Sequence, residues 1–182
     1  MFFKKENKQA KIIYQNIIKI SRSKFFYLDL KLNDDFETRF DLIILHAFII
    51  FFYYKNLNNE KSKISQDLFD FMFSDFENNL REMGFGDIAV NKKMKVFITA
   101  FYGRIAQYSK GTDMYRINGD KTLLRQTILN NIYKGKEKSN EYLNFFIDYM
   151  EENINQFTNR SERENIENGF RYNNIKPLRD KE

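Results

Sequence analysis

The chain contains no cysteine and a single histidine, His46. Disulfides, thiolate zinc sites, iron–sulfur ligation and cysteine nucleophiles are therefore excluded. A two-histidine metal site cannot form within one chain, and a hydrolase triad would have to take His46 as its base. Proline occurs once and glycine seven times in 182 residues, so the regular turns that strand-rich folds require are sparse. Long apolar runs are also missing. The strongest, Leu42 to Tyr54 (LIILHAFIIFFYY), covers 13 residues, roughly 20 Å as a helix against a hydrocarbon core of about 30 Å. It carries His46 and follows Asp41, so it reads as a buried central helix, and a soluble or peripheral protein is expected. Met1-Phe2-Phe3 is too short for a signal-peptide core and lacks a small-residue cleavage site.

What remains is the composition of an ordinary globular domain: 42% hydrophobic and 30% charged, with 20 Phe and 11 Tyr. Charge is unevenly spread. From Met1 to Asn33 eight cationic residues oppose only Glu6 and Asp29, a balance of +6 that exceeds the whole-chain +5. From Glu60 to Asp87 the sign reverses. Lys92, Lys93, Lys95, Arg104 and Lys110 then follow without an acidic residue between Asp87 and Asp113. Alternating blocks suggest separate electrostatic faces rather than one nucleic-acid stripe.

Apolar spacing predicts about six helices. Glu6 to Ser21 places Ile13, Ile17 and Ile20 at helical intervals, with Lys8, Lys11 and Lys19 elsewhere on the helix. That face could dock on the domain or lie on a membrane surface. Lys24 to Asn33 reads as an extended or one-turn link. Asn33 or Asp34 caps a second helix, apolar all round in its second half, that reaches about Leu57. A third starts at Ser62 or Ser65 and carries Phe69, Met72, Phe73, Phe76, Leu80 and Met83 as a stripe, with Gly84 as its left-handed cap.

The fourth helix, after Phe85-Gly86-Asp87, holds Met94, Phe97, Ile98, Phe101, Ile105 and Tyr108 on one side. Lys110 to Gly119 (KGTDMYRING) reads as a polar loop. Asp120 caps a fifth helix with Leu124, Ile128 and Ile132 that ends at Gly135, and Ser139 starts a sixth with Leu143, Phe146, Ile147, Met150 and Ile154. Helices without intervening strands mean an all-α, single-domain bundle. Its expected parts are a basic N-terminal helix and link packing on the domain (1–33), a core (34–157) and a polar, mobile tail (158–182).

Little in this pattern is arranged for catalysis. Gly84 and Gly86 form half of a phosphate-loop signature, but no strand precedes them and no lysine–hydroxyl pair follows. The Glu-x-x-His motif of di-iron bundles is absent, because Ile43 stands three residues before His46. His46, inside the most apolar segment, reads as a buried imidazole bonded to a polar neighbour. Asp41, five residues earlier, is off its helical face, so no local dyad is expected. No catalytic residue, metal or cofactor is assigned.

Three blocks say more: RFDLIILHAF (Arg39 to Phe48), LFDFMFSDFENNLREMGFGDIAVNKKMK (Leu68 to Lys95) and AFYGRIAQY (Ala100 to Tyr108). Together with Tyr14, Ile17, Ile18, Arg22, Phe25 and Tyr27 they resemble the ubiquinol–cytochrome c chaperone family, over roughly residues 10 to 150. Asp34-Asp35-Phe36-Glu37 departs from that family's usual turn, and the 110–119 segment and the tail match nothing. The resemblance implies an all-helical, non-enzymatic assembly factor of respiratory complex III that binds newly made cytochrome b. It also implies a possible ribosome contact and a small partner protein. The compact chain resembles the bacterial form, which implies a cytoplasmic protein at the inner face of the inner membrane, or the matrix side if eukaryotic. The matching residues expected to bind a partner are Arg81, Glu82, Asp87, Lys92, Lys93, Lys95, Tyr102 and Arg104, with an apolar groove beside Gly84. The alternative, motivated by the basic N-terminal block, is a small helical RNA- or DNA-binding module.

Overall fold

A computed structural model describes residues 8–58 and 62–175. They form eight helices and no strand: α1 (Lys8–Ser21), α2 (Lys24–Leu28), α3 (Phe36–Asn56), α4 (Lys63–Glu82), α5 (Asp87–Asn118), α6 (Thr122–Asn131), α7 (Asn140–Thr158) and α8 (Glu162–Glu167). The six long ones are those foreseen from spacing. The two additions, α2 and α8, have five and six residues. The start of the first helix as read from sequence, Glu6 and Asn7, lies outside the described residues.

α3 is the axle of the bundle. Asp35 caps it by accepting from the Thr38 backbone N–H at 2.8 Å. Its apolar residues go right round the helix, so every side must be covered, and α1, α4, α5 and α7 pack against it. Eleven consecutive residues, Phe40 to Ile50, are buried. α1 docks through Ala10, Ile13, Tyr14 and Ile17 against α3 and α4, leaving its lysines outward. At the end of α4, Gly84 takes φ +87°, the left-handed geometry that turns the chain into α5.

Two stretches differ from expectation. KGTDMYRING is not a loop: all of it except the left-handed cap Gly119 is the last part of α5, which runs unbroken for 32 residues, about 48 Å. The glycine that suggests a break, Gly111, is there for close contact. A Cβ on it would lie 2.9 Å from the Leu124 side chain and 3.2 Å from its backbone nitrogen, so α5 and α6 meet where only a bare Cα fits. The segment after residue 158 is also not a wholly polar tail. α8 folds back to α1, and Phe170 and Tyr172 are buried among Tyr53, Tyr54, Phe157 and His46. Asn16 ties this segment to α1 by donating to the Gly169 carbonyl at 2.9 Å.

Candidate functional site

Residues of α3, α4 and α5 line a groove of about 460 Å³. Its floor is Phe48 and Phe52 of α3 and Phe101 of α5, all buried core residues. Half-buried Phe51, Phe69 and Ile105 form the walls, and Tyr102, 58% exposed, stands at the edge. The aromatic rings interlock. Phe69 lies 5.4 Å from Phe101 and 5.9 Å from Tyr102, centroid to centroid, and Phe51 is 5.8 Å from Phe101, edge-on. Edge-to-face contacts of this kind fix the rings and keep an open apolar surface from collapsing.

The rim is polar. Lys55 Nζ, on α3, donates to Ser109 at 2.7 Å and pairs with Asp113 at 2.5 Å, both on α5, while lying over the Phe52 ring. Ser65 and Gln66 of α4 complete the rim. A concave aromatic floor inside a hydrogen-bonding rim can accept apolar side chains of another chain and orient its backbone.

The groove is not beside Gly84. Its α4 wall begins at Phe69, 15 residues before that glycine, so it lies about 22 Å along the hairpin from the turn. The eight residues singled out from sequence therefore do not form one patch. Tyr102 alone lines the groove. Arg81 bridges Glu77 (2.7 Å) and Asp87, clamping the α4–α5 turn. Glu82, Lys92 and Lys95 are exposed around that turn, and Lys93 lies 4.6 Å over the Phe85 ring.

Arg104 points inward. Its Nε pairs with Asp41 at 2.5 Å, its guanidinium covers the Phe40 ring, and Lys134 also holds Asp41. Burial pushes the Asp41 carboxyl up from its ordinary value, against the pull of these two cations. The two contacts join α3, α5 and the segment after α6. Of the groove residues missed as site residues, Phe69, Phe101 and Ile105 were visible as helical stripes and Phe48, Phe51 and Phe52 as the all-apolar run. Sequence spacing gives no sign that these stripes gape here.

His46 is a structural group. Its Nδ1 is 2.6 Å from the Leu42 carbonyl oxygen and 3.2 Å from the Ser21 hydroxyl, and its Nε2 is 3.0 Å from the Tyr149 hydroxyl. This pattern assigns the proton to Nδ1, donating to Leu42, with Nε2 accepting from Tyr149. Burial holds the imidazole pKa down at about 4. Among the described residues no group of three or more acidic or histidine side chains could hold a metal, and no helix is long and apolar enough to cross a membrane.

Comparison with known proteins adds the following. A family model described as ubiquinol–cytochrome C chaperone matches residues 28–172. The crystal structure of a Cbp3 homolog from Brucella abortus superposes with a TM-score of 0.77 at 24% sequence identity, covering 93% of this chain and 91% of that one. That likeness establishes the fold. No curated protein matches the chain.

Proposed function

The chain belongs to the ubiquinol–cytochrome c chaperone family, and from that premise we propose that it is a non-enzymatic assembly factor that holds newly made cytochrome b until complex III is built. The observation that carries this reading is the aromatic groove between α3, α4 and α5, open to solvent on a scaffold of that family. Cytochrome b is a polytopic membrane protein whose apolar segments need cover before they are partnered. The groove has room for a few apolar anchors of such a segment, spaced as on one face of a helix. Phenylalanine and tyrosine provide large contact area with little rotameric freedom to lose, so binding can be transient yet productive.

The other family-matched residues support that seat from different places. Arg104, through Asp41, fixes the α5 backbone that presents Phe101 and Ile105 to the groove. Arg81 and Asp87 fix the turn that sets α4 against α5. Work on a nascent membrane client would place the protein at the inner face of the bacterial membrane. Deleting its gene should lower cytochrome b absorbance and assembled complex III while leaving other respiratory complexes near their normal levels. Unchanged cytochrome b would overturn the reading.

A further inference from the structure

The end of the α4–α5 hairpin away from the groove has a different surface. Met83 is 60% exposed, Ile88 88% and Val96 60%, with Phe85 half-buried between them. Met83 belongs by spacing to the α4 stripe yet is mostly exposed. No heavy atom lies within 4 Å of a Cβ placed on Gly84 or Gly86, and both glycines are exposed, so the turn has open space beside it. An exposed apolar tip offers no concavity for a peptide's anchors.

It does carry a basic collar. Ile88, Lys92, Lys95 and Val96 stand at steps of four, three and one residues, on one face of α5, and all are exposed. Lys93 lies on the Phe85 ring. Lys92 and Lys95 make no ion pair among the described residues, and no acidic residue follows Asp87 until Asp113. Of the acidic groups at the tip, Glu77 and Asp87 are both held by Arg81, leaving Glu82 as the open anion.

We propose that this tip is a lipid-contact site: Met83, Phe85 and Ile88 enter the interfacial layer of an anionic membrane while Lys92, Lys93 and Lys95 meet its headgroup phosphates. Apolar insertion ringed by lysines is the chemistry of a peripheral membrane anchor. Lysine stems cover apolar surface while their ammonium groups reach the phosphates. A nucleic acid would use the lysines but not the bare isoleucine. Tyr102 lies 14 residues from Ile88, about 21 Å along α5, so a seated tip would hold the groove within that reach of the lipid surface. The inference stands apart from the identity of the client.

The test is flotation of the full chain with vesicles of phosphatidylcholine alone and of phosphatidylcholine mixed with phosphatidylglycerol, with thermal melts confirming that each variant is folded. Wild type should float with the anionic vesicles and only weakly with the neutral ones. K92A/K93A/K95A should lower partitioning on the order of a hundredfold, and M83S/I88S by about tenfold or more at unchanged charge. Equal flotation with both vesicle types, no flotation, or wild-type binding by M83S/I88S would overturn the proposal. So would displacement of wild type and M83S/I88S alike by single-stranded RNA, which would assign the lysines to nucleic acid. Flotation with protein-free vesicles does not involve cytochrome b, so failure here leaves the client reading to its own test.

Discussion

Mild acid should destabilise this fold through His46, by an amount that follows from its surroundings. The ring is fully buried and no carboxylate touches it; its partners are the Leu42 carbonyl, the Ser21 hydroxyl and the Tyr149 phenol. Burial lowers its pKa from 6.5 to about 4, and the bond to Leu42 recovers only part of that. The unfolded chain takes up a proton as pH falls through 6.5, whereas the folded chain resists until about 4. The contribution is therefore intact above the higher value and is lost progressively across that window. At about 1.36 kcal/mol per unit, the loss comes to roughly 2 kcal/mol by about pH 5 and about 3 kcal/mol at completion. That is a large share of the 5–15 kcal/mol (approximately) typical of a domain. Urea unfolding of wild type and His46→Asn across the window measures it. The variant will be less stable at neutral pH, so the quantity to compare is the slope. Burial of Asp41 acts with the opposite sign but is common to both chains and drops out of the difference. Wild type should lose about 2 kcal/mol more than the variant on going to about pH 5. Parallel curves would refute the reasoning.

Other expected outcomes concern packing. Phe170→Ala removes a fully buried ring in contact with Tyr53, Tyr54 and Phe157 and should cost about 3–5 kcal/mol in chemical denaturation; a surface-like value would mean that the segment after α7 does not pack. Gly111→Ala gains helix propensity, about 1 kcal/mol, but drives a methyl group into Leu124, so a net loss of about 1–2 kcal/mol is expected, read as a lower Tm. Arg104→Met leaves buried Asp41 to Lys134 alone and should cost about 1–3 kcal/mol, most of it restored by Arg104→Lys; equal losses in both would argue against the charge contact.

The helices, their apolar faces and the central place of α3 were legible because apolar spacing of three and four residues reports directly which side of a helix is buried. Gly111 misled for a physical reason: glycine marks both turns and close helix contacts, and only the neighbouring Leu124 distinguishes them. Phe170 and Tyr172 gave no periodic signal because they reach the core from irregular backbone after α8. The family motif around Gly84 was plain in sequence, yet it joined residues in four separate settings: a turn clamp, the groove edge at Tyr102, an inward ion pair and exposed lysines. The groove itself was hidden. Spacing tells which faces are apolar, but not where two such faces leave a gap.

The central claim, that the α3–α4–α5 groove seats cytochrome b, is most directly tested by site-specific photocross-linking in cells. A photoreactive residue at Gln66, on the groove rim, should give an adduct with cytochrome b, while the same residue at exposed Asn130 on α6 should give none. No adduct from Gln66, or equal adducts from both positions, would contradict the account.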